Sequence, residues 1–542
     1  MNNIVDIEQT EWDAIIVGTG MGGGTIGFKL AEAGKHVLFI EKGKSHIGNV
    51  NVLSGQYAEM FFPKIERPEP KHFEILQKAG RWADSILDIS TAKVNSHIPF
   101  VGSGTGGSSA LYGMVMERFS PIDFVGSRSM ELREKCAWPI SYADLKPYYE
   151  KAEKLYRVRG SVDALRKEKI ETYLDPPPLA AANKELYEFL IGKGFNPYQL
   201  PLACDFEPGC QNCQGFLCPK NCKNDSAKIC VAPAINQYGA RLLDLCEVIR
   251  IETKENIISA VVCRWQGNTI KLRSKIFILA AGALQTPAIL LRSTSEKYPN
   301  GLANSSGQVG RNLMRHYIDI YAIAVKQKPK PNDYLKQIAF NDLYYSEGRR
   351  LGTVQSFGKL PPSSIQVATI YRKLKDGPLP FLAYLFDFLK PIVEFLVSKI
   401  FSKRLILSSI MEDIPDSENR ITISSKGEVV MNYKIDYSER KRIETFRKKI
   451  KSALKPYSYI LIKQADSNGR IAHVCGTCRF GVDPKNSVLD AMNQSHDVPN
   501  LFIVDSSFFP TSGGTNPALT IAANALRVAD HILKTWTDTV ST

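Results

Sequence analysis

The stretch DAIIVGTGMGGGTIGFKLAEAGKHVLFIE, residues 13–41, decides the fold. Asp13 to Gly18 form a short, nearly continuous apolar run, the kind that becomes a strand buried on both faces of a parallel sheet. Gly18, Gly20 and Gly23 follow in the spacing Gly-x-Gly-x-x-Gly, and a helical stretch from Thr25 to Ala33 closes at Gly34. A second strand, His36 to Ile40, ends in Glu41, eighteen residues beyond Gly23. Strand, glycine turn, helix, strand and acid in this order form a dinucleotide-binding unit. A pyrophosphate must approach the backbone N–H groups at the helix N-terminus, and a Cβ in the turn would stand in its way. Glu41 is then placed to accept hydrogen bonds from ribose hydroxyls. The spacing alone leaves NAD and FAD both open.

Around this unit the chain runs to 542 residues, too many for one hydrophobic core, so two domains or one interleaved pair are expected. Apolar residues make up 44% and charged residues 23%, far from the composition of disordered chains. The formal charge of +14 suits an anionic substrate, an acidic protein partner or an anionic membrane surface. Nucleic acid is not expected, because the basic residues are spread along the chain. Their densest run, between Arg440 and Lys451, has helical spacing and reads as a solvated helix face. The N-terminus passes into the first strand without a basic leader, apolar stretch or cleavage site, which points to a cytoplasmic protein or one held at the periphery of a membrane.

Later glycine-bearing segments narrow the cofactor. GSGTGGSSA at 102–110 lets backbone approach a ligand, and Phe277 to Gly282 is another buried strand ending in small residues, where open α/β sheets bind ligands. Leu501 to Asp505 is a strand ending in an acid, and the apolar-patterned helix from Thr520 to Leu533 offers its positive N-terminal end nearby. These segments stand in order with WPISYADLKPYYE (138–150), AAGALQTP (280–287), VGRNL (309–313), EDIPDSENR (412–420), HVCGTCR (473–479) and DSSFFPTSGGTNP (505–517). In this the chain resembles the glucose-methanol-choline (GMC) flavoprotein family over nearly its whole length.

That resemblance implies an α/β fold in which a Rossmann-like FAD-binding domain (10–160, 200–318 and 470–542) is interleaved with an α+β substrate domain built on an antiparallel sheet (161–199 and 319–469). It implies FAD contacts at Gly18, Gly20, Gly23, Glu41, Gly106, Gly107, Ser108, Val248, Ala281, Gly282, Asp505, Asn516 and Pro517. The histidine of the His-x-x-Gly-Thr motif, here His473, becomes the base that takes the hydroxyl proton while hydride leaves for flavin N5; imidazole suits the task because its ordinary pKa lies near working pH. Asn516 orients the substrate oxygen with an amide that does not titrate. His316 fits a family position but reads as a structural hydrogen-bonding residue, and His496 as a surface loop residue. Tyr112 stands where the family often has Asn, and Ser293-Thr294 where Ser-Gly is usual. Ala110-Leu111-Tyr112 replaces the segment that carries a flavin-linked histidine in some members, so noncovalent FAD is expected.

Two segments go beyond these needs. Of eleven cysteines, six lie between Cys204 and Cys230, with Cys210, Cys213, Cys218 and Cys222 close enough to ligate an iron-sulfur cluster or zinc. The segment resembles the Cys-rich insertion of bacterial FAD-dependent sugar dehydrogenase subunits; the readings are an iron-sulfur relay, zinc, or thiols without metal. Cys475 and Cys478, close to the expected base, read as small buried hydrophobes. The second segment, 377–401, is rich in bulky apolar residues yet carries Asp387, Lys390, Pro391, Glu394 and Lys399, which argue against a membrane span. It reads as an interfacial helix pair or lid, or as a helix packed on the substrate domain. The activity expected is oxidation of a CH–OH group in a sugar, polyol or longer alcohol, with electrons passed to an acceptor protein or quinone. An oxygen-using oxidase, a family-related lyase and a light-driven fatty-acid decarboxylase are the alternatives.

Overall fold

A computed structural model of the chain describes residues 4–48, 51–63, 67–125, 136–375, 381–468 and 471–536. Residues 377–380 of the apolar insertion, and residues 470 and 537–542 of the expected C-terminal stretch, lie outside them. Glu11–Val17, Val37–Ile40 and the end of Asn268–Leu279 run parallel, flanked by Arg241–Leu243 on one side and Leu501–Ile503 on the other. Val17 pairs with both Ile40 and Leu279, and Leu279 with Ile503, so four strands end on one line. Gly18, Glu41 and Ala280, which follow directly, and Asp505, two residues beyond Ile503, are thereby brought to the carboxyl edge of the sheet, the edge at which such sheets bind ligands. Ala14, Ile15 and Ile16 are fully buried, as the apolar run requires. Cys246–Lys254 and Ile257–Trp265 extend the sheet as an antiparallel meander.

A second sheet is antiparallel throughout, in the order Tyr459–Ile462, Tyr317–Ile323, Leu405–Met411, Gly352–Ser356, Ile338–Phe340, Tyr198–Gln199. It faces the first across the ligand edge. The molecule is thus a mixed α/β fold. Two short strands early in the chain, Ile86–Asp88 and Asn95–His97, join Arg420–Ile423 and Val429–Asn432 in a small mixed sheet that ties the two halves together.

The basic run sits on helix Tyr437–Leu454, but its face is not simply solvated. Arg442 and Arg447 are buried: Arg447 Nε donates to Asp319 Oδ2 at 2.6 Å, and Arg442 Nη1 bonds Glu439. Buried carboxylates, Asp319 on the sheet beneath and Glu439 on the helix itself, demand cationic partners, a need that helical spacing does not reveal. The apolar insertion forms helix Phe381–Phe401, which packs on helix Ser363–Lys375 as a hairpin over the antiparallel sheet. No helix among the described residues is long and apolar enough to cross a membrane.

Candidate active site

A cavity of about 940 Å³ runs along the carboxyl edge of the parallel sheet and on to the antiparallel one. Of the residues expected to hold cofactor, Gly18, Gly20, Glu41, Gly107, Ser108, Val248, Ala281, Gly282, Asp505, Asn516 and Pro517 line it, with His473. Gly23 and Gly106 stand behind its wall. A Cβ on Gly23 would lie 2.0 Å from the Gly18 carbonyl oxygen, so this glycine packs helix against strand. Gly106 N–H donates to Thr19 Oγ1 at 3.2 Å. A Cβ on Gly20, by contrast, would meet nothing within 4 Å and would project into the cavity. The cradle therefore has the open backbone a pyrophosphate needs, and its residues fit FAD.

Glu41 is buried, and burial raises its pKa against the hydrogen bonds that favour its charge. Its Oε1 accepts from Gly43 N (2.9 Å) and Gly104 N (3.0 Å), and its Oε2 from Thr19 Oγ1 (2.6 Å) and Thr19 N (3.2 Å). The acid thus clamps the glycine turn to the 102–108 loop as well as facing the cavity. Asp505 plays a similar part at the other strand end. Its Oδ2 accepts from Gly282 N (2.9 Å) and Thr286 Oγ1 (2.5 Å), and its Oδ1 from Ser507 N (2.8 Å).

At the far end His473 is held by its neighbours in the chain. Met314 and Cys475 exchange both backbone hydrogen bonds, His316 N donates to Ala472 O, and Ser506 Oγ donates to Val474 O. These tethers hold His473 at φ 57°, a left-handed conformation uncommon for a residue with a Cβ. Its Nδ1 lies 3.0 Å from His316 Nδ1, and His316 Nε2 lies 2.9 Å from Gly513 O. A carbonyl can only accept, so the His316 proton sits on Nε2 and its Nδ1 is an acceptor. The proton between the rings then belongs to His473 Nδ1, which leaves His473 Nε2 with a free lone pair. Burial pushes His316 down to about 4. His473 lies well below the ordinary histidine value because of burial, then the nearby His316 and Lys336. Both rings are therefore neutral at neutral pH, and His473 can accept a proton.

Asn516 Oδ1 accepts from Gln355 Nε2 at 3.0 Å, which turns the Asn516 amide N–H groups toward other partners. Gln355 Oε1 is buried with no partner at the cavity wall. Lys336 also lines the cavity, with Nζ 2.9 Å from Gln214 Oε1; burial lowers it to about 7. Gln355 and Lys336 had no motif to announce them. The one available signal was polar residues inside Gly352–Ser356, a strand that proves wholly buried. His316 bonds as expected, and its partner is His473. His496 is half-buried, 3.0 Å from Ser487 Oγ, because its loop folds back on Val488.

The cysteine-rich segment approaches the cavity only through Gln214 and Gly215. Its thiols turn to one another: Cys204 and Cys210 Sγ are 3.7 Å apart, and Cys213 and Cys218 share a hydrogen bond that lowers Cys218 and raises Cys213. Among the described residues no group of three or more His, Cys, Asp or Glu is arranged to hold a metal ion. Cys222 also hydrogen-bonds Cys210 and Cys218, so the four thiols stand together. Cys475 and Cys478 are buried, and burial pushes both thiols well above their ordinary value.

GMC oxidoreductase family models match residues 13–318 and 415–525. The chain belongs to the GMC oxidoreductase family. It is 27% identical to paromamine 6'-oxidase of Streptomyces fradiae, over 96% of this chain and 91% of that one. It is 25% identical to 2-methyl-1,2-propanediol dehydrogenase of Mycolicibacterium austroafricanum, over 97% and 96%. Among solved structures, pyridoxine 4-oxidase from Mesorbium loti shares the fold, with a TM-score of 0.60, 18% identity and coverage of 97% and 99%. The family is FAD-dependent, and this GMC protein is an oxidoreductase acting on CH–OH groups, in a family that holds both oxidases and dehydrogenases.

Proposed function

We propose that this GMC protein oxidises a lipophilic alcohol, with His473 as the base and Asn516 holding the substrate oxygen. The observation that carries this reading is the relay from the Gly513 carbonyl through His316 to His473, which leaves Nε2 as an unprotonated acceptor at the cavity end. Bound without a covalent link, FAD would be held by the Gly18–Gly20 turn, the Gly107–Ser108 loop and the Ala281–Gly282 turn, and would supply the acceptor for the two electrons leaving the carbon. For Glu41 to hold the ribose, a sugar hydroxyl must exchange with its longest contact, Thr19 N at 3.2 Å. The Pro517–Ala518 end of helix Ala518–Lys534 adds positive dipole beside Asn516.

His473 Nε2 takes the hydroxyl proton while the Asn516 amide N–H fixes the same oxygen. Gln355 orients that amide, and its own free Oε1 can accept from a second substrate group. His316 is buried behind His473, so water does not reach the hydrogen bond between the rings, while the half-buried His473 meets the cavity. The lipophilic class is supported by the outer wall, where Ile318, Phe357, Pro361, Ile365, Ala368 and Ile410 line the cavity. A quinone or protein acceptor is part of the proposal; the apolar wall suits a quinone as well as the alcohol. In this reading 10–160, 200–318 and 470–542 serve the cofactor and the remainder the substrate.

The test is anaerobic titration of the flavin-loaded protein with alcohols of increasing chain length, with glucose and fructose for comparison. Bleaching of the flavin absorbance that strengthens with chain length is expected, with dye or quinone reduction outpacing oxygen uptake in air. Bleaching by the sugars alone would overturn the substrate class, and no bleaching by any alcohol would overturn the reaction.

A further inference from the structure

The helical hairpin of Ser363–Lys375 and Phe381–Phe401 carries its apolar residues on the wrong side for a core helix. Phe388 is 82% exposed, Phe395 64%, Phe381 63% and Ile392 59%, with Leu389, Leu396 and Ile400 also exposed. Spaced at 388, 392, 395, 396 and 400, they form one stripe along the helix. Asp387, Glu394 and Ser398 fall off that stripe. Lys399 sits on it, with Nζ 5.8 Å from the Phe395 ring centroid, while exposed Lys375 precedes the second helix and exposed Lys403 follows it. The opposite side of the hairpin is built into the protein: Ala383 is buried, and Phe401 packs against the sheet residues Ile320, Ala322 and Ile406. Ile365, Ala368, Thr369 and Arg372 of the first helix form part of the wall of the cavity that contains His473.

We propose that this hairpin docks on a bilayer surface bearing anionic headgroups, with the Phe388, Ile392 and Phe395 stripe in the acyl boundary, and admits a lipid-dissolved alcohol to the cavity. The proposal rests on the lipophilic-alcohol reading above for its substrate. The docking itself rests on the stripe, the lysines that accompany it and the +14 charge of the chain. The helix is not apolar enough to span, so it lies in the interface plane. A contiguous exposed apolar stripe of this kind calls for a covering surface, and lysines on and beside it favour lipid phosphates over a second copy of the same basic hairpin.

Flotation of the flavin-loaded protein with phosphatidylcholine vesicles, with and without phosphatidylglycerol, tests the idea. Partition onto the phosphatidylglycerol vesicles is expected, with a loss on the order of a hundredfold in the double variant Phe388→Ser, Phe395→Ser. Flavin content and melting temperature of that variant should match the parent, since both rings point away from the packed side. Three results would overturn the proposal: no partition, partition that the double variant retains, or a parent dimer in solution that the double variant splits while neither binds vesicles. Flotation is read without turnover, so failure to dock leaves the oxidation reading intact, and failure to oxidise alcohols leaves docking intact.

Discussion

The two ends of the cavity are built on opposite plans. At the cofactor end the backbone makes the site: a glycine turn, two strand ends and loops clamped by Glu41 and Asp505, with side chains serving mainly to hold main chain in place. At the end proposed for the substrate side chains make the site: His316, His473, Gln355, Asn516 and Lys336 come from separate segments and would act through their own donors and acceptors. A backbone site tolerates almost no added atom but is indifferent to most side-chain chemistry. A side-chain site survives changes of volume and fails when one proton is misplaced.

The largest effect should come from adding atoms to the backbone end, and two neighbouring glycines should fail differently. In Gly23→Val the new Cβ meets the Gly18 carbonyl at 2.0 Å, so the helix must leave the strand and folded protein should be lost, read as insoluble protein or a much lower melting temperature. In Gly20→Val the side chain enters open space, so the apoprotein should melt as the parent does yet take up no FAD, read from the flavin bands after reconstitution. If Gly20→Val binds FAD normally, the cradle is misplaced and the comparison between the two ends falls with it.

This contrast also explains what was legible in the sequence. The cradle could be read because backbone demands leave local marks: glycines at fixed offsets, an apolar run before them and an acid at the next strand end. The parallel order of the strands followed from the same unit. His473 and Asn516 were reached by family resemblance, not by spacing. Gln355 and Lys336 were missed because Gln355 lies on Gly352–Ser356 and Lys336 just ahead of Ile338–Phe340, strands placed by long-range pairing, and nothing within a few residues marks them. The cysteines show the converse: Cys213, Cys218 and Cys222 have the spacing of ligands and their sulfurs do meet, yet neither spacing nor proximity names a metal. The direction in which the apolar stripe of 381–401 faces was likewise undetermined until the helix had a sheet to lie on.

Next in size is removal of the proposed base. His473→Asn should slow flavin reduction by about 10²–10⁴-fold, the usual weight of a positioned general base, with FAD content unchanged. His316→Leu should cost less, because Nε2 remains but its tautomer is no longer fixed. It should also lower kcat more than it raises KM, since the ring orders the proton rather than the substrate. Equal rates for parent and His473→Asn in stopped-flow reduction would remove the imidazole from the chemistry.

The smallest effect is a shift along the pH axis. In the proposed role His473 must be unprotonated, and its pKa lies well below the ordinary value through burial, His316 and Lys336. Activity should therefore stay level as pH falls through the range where a free histidine titrates, and decline only as pH passes the depressed value. Lys336, itself lowered to about 7 by burial, contributes positive charge that opposes protonation of His473. Lys336→Met removes that charge, so the His473 pKa should rise toward 6.5 and the acid limb of kcat should move to higher pH, with the plateau rate nearly unchanged. A limb that moves to lower pH would mean Lys336 acts on the base through geometry and not through charge. The same substitution leaves the Gly20 cradle untouched, so FAD affinity should not change, and an altered affinity would show that the two ends of the cavity are coupled.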